Sequence, residues 1–307
     1  MRIGIVGAGG VGGYFGARLA AAGYDVSWLA RGQHLAAMLR DGLQIRSQLG
    51  DLHLPHVQAS AAAASIGAVD VLLITVKLWD LADAIQAAKP MIGPQTTVIA
   101  LQNGVQKDAL VREGLGDVAM LGGVAYIEAH IESPGVIQHG GTLQRLVFGA
   151  FDGADSLVAE QLLAACQASG IVAEISPHIE QSIWEKFVFL VGMSAITSAT
   201  RLPVGPIRAN PRSRALLLEL MREVVAVARA SGIALPADFA DSQITRLDNV
   251  PATMTSSMAK DLARGNRLEV AWLSGHVAEL GEQFGVPTPA NRIISDVLAP
   301  HAAGRRD

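Results

Sequence analysis

The stretch from Arg2 to Gly16 constrains the fold more than any other part of the chain. Ile3, Ile5 and Val6 form a short apolar run of the kind a strand shows when both its faces are buried. The run breaks at Gly7-Ala8-Gly9-Gly10-Val11-Gly12, then passes into a helical pattern at Phe15, Leu19 and Ala20. Strand, glycine turn and helix start, in that order, predict a dinucleotide-binding turn. Gly7 allows the tight turn, Gly9 lets backbone approach a pyrophosphate, and Gly12 lets the helix pack closely on the strand. The helix N-terminus adds unpaired N–H groups and the positive end of its dipole.

The chain has 307 residues, half of them hydrophobic and 17% charged, which is material for two cores. A formal net charge of −4 gives no basic footprint for nucleic acid. A single cysteine, Cys166, excludes an internal disulfide and fits a reducing cytoplasm. Its neighbours Leu162, Leu163, Ala164 and Ala165 mark it as a small core residue rather than a nucleophile. The glycines cut short any signal-peptide core at the N-terminus. The apolar stretch 187–200 is shorter than the roughly 20 residues that cross a bilayer, so no membrane is expected. The eight histidines show no i, i+4 pair of the kind a helical metal site uses, and no metal is expected.

A second strand, Tyr24–Ala30, delivers Arg31 where a dinucleotide fold reads the adenosine ribose. An acidic residue there accepts from a free 2′-hydroxyl, whereas an arginine holds a 2′-phosphate. No carboxylate follows along the chain until Asp41, which favours NADPH over NADH. A small hairpin is expected around Leu43–Ile45 and Leu52–Leu54, and an alanine-rich loop at Ala59–Ala64. The apolar strands Val69–Val76 and Thr96–Leu101 deliver Lys77 and Gln102-Asn103-Gly104 at their carboxyl ends, where ligands of parallel sheets bind. Between and after them come helices, then antiparallel strands within 118–148 turned at Ser133-Pro134-Gly135. The pattern predicts a Rossmann-type, doubly wound α/β domain over residues 1–177, with Ser176-Pro177-His178 as hinge. Residues 178–307 read as an all-helical domain, with helices near 179–200, 211–231, 237–248, 252–264, 268–284 and 289–299.

Ile183-Trp184-Glu185-Lys186-Phe187 opens the helical half, which later carries Ser256-Ser257-Met258-Ala259-Lys260-Asp261, Glu269 and Gly285-Val286-Pro287-Thr288-Pro289-Ala290-Asn291. Together with the N-terminal glycines, Val76-Lys77-Leu78-Trp79 and Gln102-Asn103-Gly104, these motifs resemble the ketopantoate reductases (2-dehydropantoate 2-reductases) in the same order over nearly the whole chain. The resemblance implies NADPH-dependent reduction of a 2-keto acid to a 2-hydroxy acid in a cleft between the domains. It makes Lys186 the catalytic proton donor and Glu269 a second catalytic residue that contacts the bound ligands. Ser257 and Asn103 become substrate contacts, with Asn103 also meeting nicotinamide. Arg31 becomes the 2′-phosphate ligand, Lys77 a cofactor-side lysine and Glu128 a main-chain cofactor contact. A cytoplasmic homodimer is the assembly the family implies.

The chain departs from the pattern one and two turns beyond Lys186. Leu190 and Ser194 stand where better-known members carry substrate-contacting asparagines, and Val204 replaces a further one. Ser194 is the one of these three still able to bond a substrate. The substrate is therefore 2-dehydropantoate or a paralogous branched or aromatic 2-keto acid. Two other functions fit the same motifs: a non-catalytic NADPH-binding redox sensor, and an oxidoreductase acting on an imine or amino acid.

Overall fold

The computed structural model describes residues 1–305. They divide into two compact units, Met1–Ser182 and the chain from Ile183 onward. In the first unit β1 (Arg2–Val6) leads into α1 (Gly10–Ala21), and β2 (Asp25–Leu29) into α2 (Gly32–Asp41). There follow β3 (Leu43–Ser47), β4 (Leu52–Leu54), β5 (Gln58–Ser60), α3 (Ala63–Ile66), β6 (Val71–Ile74), α4 (Leu81–Ala88), β7 (Thr97–Ala100) and α5 (Lys107–Leu115). The long strands β8 (Ala119–Ser133) and β9 (Val136–Gly149) precede α6 (Leu157–Ala168) and β10 (Val172–Ile175).

All ten strands share one sheet, in the order β4-β3-β9-β8-β7-β6-β1-β2-β5, with β10 beside β9. From β5 through β2, β1, β6 and β7 to the start of β8 the pairing is parallel. β6 and β7 are buried along their whole length, and the unbroken Val-Leu-Leu-Ile run of β6 suits a sheet covered on both faces. The chain passes from β1 to β2 on one side, while β6 lies on the other side of β1. That reversal opens a crevice at the carboxyl ends of β1 and β6.

The expected hairpin forms from β3 and β4, and β3 also pairs in parallel with β9. Ala59 and Ser60, read as loop, belong to β5 and pair with β2, and α3 starts at Ala63. An edge strand of three residues is too short for a period of two to show.

The second unit is helical: α7 (Ile179–Thr200, entered from the first unit), α8 (Val204–Ala209), α9 (Pro211–Ala230), α10 (Phe239–Leu247), α11 (Ser257–Arg264), α12 (Ser274–Phe284) and α13 (Pro289–Leu298). Phe187, Val188, Val191, Ala195 and Ile196 bury α7 on several sides, as its nearly uninterrupted apolar sequence requires. The helix expected from 252 starts only at Ser257, because Ser256 caps it and its Oγ accepts from the Ala259 N–H at 3.0 Å. The helix expected over 268–284 is broken: a short 3-10 turn, Val270–Trp272, ends at Leu273, whose φ of −108° and ψ of −103° are not helical.

The proline-bearing motif 285–291 is explained by a buried carboxylate on α9. Glu223 accepts from the N–H groups of Ala290 (2.7 Å) and Asn291 (2.8 Å) and from Asn291 Nδ2 (2.7 Å). It thereby meets the start of α13, where orphan N–H groups and the helix dipole favour an anion. Among the described residues no helix is long and apolar enough to cross a membrane.

Candidate cofactor and active site

The glycine turn after β1 is held from three sides. The Gly7 N–H donates to the Leu29 carbonyl of β2 at 2.9 Å. The Thr75 hydroxyl, just past β6, lies 2.7 Å from the Gly7 carbonyl and 3.0 Å from that of Val6, donating between them. Trp28 Nε1 donates to the Gly12 carbonyl at 3.1 Å. Gly7 has φ +99°, the left-handed region that favours glycine. A Cβ on Gly12 would fall on the Gly7 carbonyl oxygen and the Thr75 hydroxyl, under 3.0 Å from both. A Cβ on Gly9 would meet no described atom within 4 Å. The cradle is thus tight behind and open in front. Among the described residues no side chain caps α1, so its first N–H groups lack a side-chain acceptor.

The opposite wall of this turn is β8. A Cβ on Gly10 would strike the Ala129 carbonyl, so strand and helix start are in close approach. There the β8–β9 register jumps from Ile127↔Gln144 to Ala129↔His139, leaving the exposed Glu128 at a β-bulge. His34 of α2 accepts the Gly135 N–H on Nδ1 at 3.0 Å, and burial lowers its pKa from the ordinary histidine value.

Arg31 immediately precedes α2, with 78% of its side chain exposed. Its guanidinium donates to Asp80 Oδ1 at 2.9 Å. Along the sequence no carboxylate stands near Arg31, yet the fold brings one from 49 residues further on. The reason is topological: β2 and β6 flank β1, and Arg31 and Asp80 follow their carboxyl ends. Lys77 follows β6 as well, its Nζ 5.5 Å from the centre of the Trp79 ring. Asn103 lies half-buried beyond β7, followed by Gly104 at φ +100°. A buried ion pair that sequence reading passed over, Lys107 Nζ to Asp108 Oδ2 at 2.6 Å, starts α5.

In the second unit Lys186, Leu190 and Ser194 recur every fourth residue along α7 and so share one face. Lys186 and Leu190 are half-buried. Ser194 is wholly buried, and its hydroxyl has no hydrogen-bond partner among the described residues. Glu269 is 2% exposed, its carbonyl accepting from Trp272 and Leu273 at the 3-10 turn. Ser257 is the exposed first residue of α11. Its neighbour Ser256 is buried and lies 2.7 Å from the Thr197 hydroxyl of α7, which donates to the Met193 carbonyl. Val204 is fully buried, with its N–H on the Met254 carbonyl at 2.8 Å.

Comparison with known proteins agrees over both units. Residues 3–153 match the family model described as ketopantoate reductase PanE/ApbA, and residues 178–302 match its C-terminal model. The chain belongs to the ketopantoate reductase family. It is 31% identical to the 2-dehydropantoate 2-reductase of Mesorhizobium japonicum, covering 97% of this chain and 96% of the relative. It is also 31% identical to the uncharacterized oxidoreductase YkpB of Bacillus subtilis, covering 94% and 95%. The crystal structure of a PanE/ApbA family ketopantoate reductase from Ralstonia eutropha superposes with a TM-score of 0.89 at 32% identity, covering 98% of each chain.

Ketopantoate reductases are NADP-dependent oxidoreductases acting on a CH–OH group, and this chain is one of them. The glycine cradle suits such a cofactor, being open where a diphosphate would lie and closed where only backbone fits. Among the described residues no three of His, Cys, Asp and Glu gather as metal ligands do. Cys166 is fully buried in α6, and burial pushes its thiol up to about 12.

Proposed function

We propose that the chain reduces a 2-keto acid to the 2-hydroxy acid, with Lys186 as proton donor. The observation that carries this reading is the open-fronted cradle of Gly7, Ala8, Gly9, Gly10, Val11 and Gly12 beside Arg31, in a chain whose two halves both match reductase models. NADPH, when bound, supplies the hydride that reduces the keto carbon. The electron pair of the carbonyl then moves to oxygen, and the Lys186 ammonium both steadies the growing charge and gives up a proton to it. Arg31 holds the 2′-phosphate, Lys77 assists on the cofactor side, and the main chain at Glu128 borders the dinucleotide. Asn103 and Ser257 orient the substrate, and Glu269 contacts the ligands as second catalytic residue.

The same reading sets the substrate. Leu190 offers a hydrocarbon surface one turn from Lys186, and Ser194 holds its hydroxyl inside the core. An apolar branched or aromatic 2-keto acid is therefore reduced better than 2-dehydropantoate, whose terminal hydroxyl would face Leu190. The enzyme acts in the cytoplasm as a homodimer, an assembly resting on the family likeness and checked by sedimentation.

The test is a screen of 2-keto acids with NADPH, followed by Lys186→Ala. That variant should lose about 10²–10⁴-fold in hydride-transfer rate while binding NADPH as the wild type does. Near-normal turnover would remove Lys186 from the chemistry.

A further inference from the structure

Resting on the assignment of Arg31 to the 2′-phosphate, we propose that Asp80 is a second cofactor-selecting residue, one that works against Arg31 and keeps the enzyme open to NADH. The guanidinium and carboxylate are 2.9 Å apart, and both are solvent-accessible, Arg31 at 78% and Asp80 at 31%. An exposed pair of this kind contributes little to stability, so its consequence lies in the charge it presents. Arg31 alone is a cation awaiting a phosphate dianion. Arg31 with Asp80 is a neutral pair.

The two cofactors meet that pair differently. The 2′-phosphate of NADPH must draw the guanidinium away from Asp80 while standing beside a like charge, which opposes binding. The 2′-hydroxyl of NADH has a proton to give, and a carboxylate is the acceptor that dinucleotide folds use for it. In many such folds that carboxylate ends the second strand. Here Arg31 occupies that end, and the acid arrives instead from the turn after β6. Asp80 forms no side-chain cap on α4, so no helix-capping role accounts for it.

The experiment measures dissociation constants by fluorescence titration for NADPH, NADH, 2′,5′-ADP and 5′-ADP. The proteins are wild type, Asp80→Asn, Arg31→Ala and the double variant, each checked for an unchanged melting temperature. Asn matches Asp in size and leaves the backbone bonds intact. Asp80→Asn should raise the NADPH-to-NADH affinity ratio about tenfold, the scale of one unit charge about 3 Å away when both groups are screened by water. The gain should shrink with salt, and 2′,5′-ADP over 5′-ADP should follow it. The same change on the Arg31→Ala background should still help NADPH. A ratio unchanged in Asp80→Asn while Arg31→Ala lowers it overturns the proposal and leaves the Arg31 assignment standing. A ratio that falls in Asp80→Asn also overturns it, since Asp80 then serves only to position Arg31. A ratio unmoved by Arg31→Ala overturns the Arg31 assignment itself.

Discussion

The two units carry function in different parts of the chain. In the first, the candidate phosphate cradle is made of backbone: a left-handed Gly7, a Gly12 whose Cβ would strike the Gly7 carbonyl, and uncapped N–H groups at the start of α1. In the second, the candidate catalytic and substrate residues are side chains on a helix, with Lys186, Leu190 and Ser194 along one face of α7. Where backbone closes the cradle, as at Gly12, an added methyl group has no room, whatever charge the side chains around it carry. Side-chain sites keep their fold under substitution and lose chemistry instead. The contrast accounts for one half of the chain announcing itself through glycines and the other through side chains spaced along helices.

Substitutions can break or sharpen that contrast. Gly12→Ala should have the largest effect, costing about 3 kcal/mol or more because backbone, not a flexible side chain, blocks the new methyl group. Gly9→Ala is its control: the methyl enters open space, so the denaturation midpoint should hold while NADPH affinity falls about a hundredfold by occlusion of the phosphate path. A cooperative, full-stability Gly12→Ala protein would show that the cradle is not closed behind.

Glu223→Ala tests whether the second unit also depends on helix-end geometry. It strands the Ala290 and Asn291 N–H groups and removes one of the two acceptors of the Asn291 amide, which keeps the Leu220 carbonyl, and should cost about 3 kcal/mol by urea denaturation. A loss below about 1 kcal/mol would mean the start of α13 finds other acceptors.

Leu190→Asn should leave stability nearly unchanged and move the kcat/KM ratio of 2-dehydropantoate to its deoxy analogue upward by about ten- to a hundredfold. A wild type already favouring 2-dehydropantoate by a large factor would show that another group meets the hydroxyl.

The smallest effect is on pH. Burial lowers the His34 pKa in the folded protein, so the unfolded chain takes the proton more readily. The stability His34 contributes is complete above its ordinary value of 6.5 and is lost as pH falls below it. Between pH 7.5 and 5 the urea midpoint of the wild type should therefore drop further than that of His34→Gln.

What could be read from sequence follows the range of the interactions involved. The parallel order around β1 is written in short apolar runs and glycines, and the helices of the second unit in their period and punctuation. Arg31 could be placed because it follows its strand directly. Asp80 could not be placed beside it, since the pair is made by sheet order and not by spacing. Ser257 drew attention through a motif, whereas burial singles out Ser256, whose hydroxyl faces Thr197. Asn291 looked like part of a signature; Glu223, which holds it, lies 68 residues earlier on another helix. Polar pairs that close over long separations leave no periodic trace.

Cys166 turns this protein into its own stopwatch. The chain holds one thiol, enclosed in α6, where burial pushes its pKa up to about 12. A thiol reagent reaches it only when α6 opens or the unit unfolds, so labelling speed counts openings that expose this part of the nucleotide unit. Any ligand that binds only the closed form must slow the count in proportion to its occupancy. A cofactor that binds only the closed form would thereby be timed without turnover and without knowing the substrate.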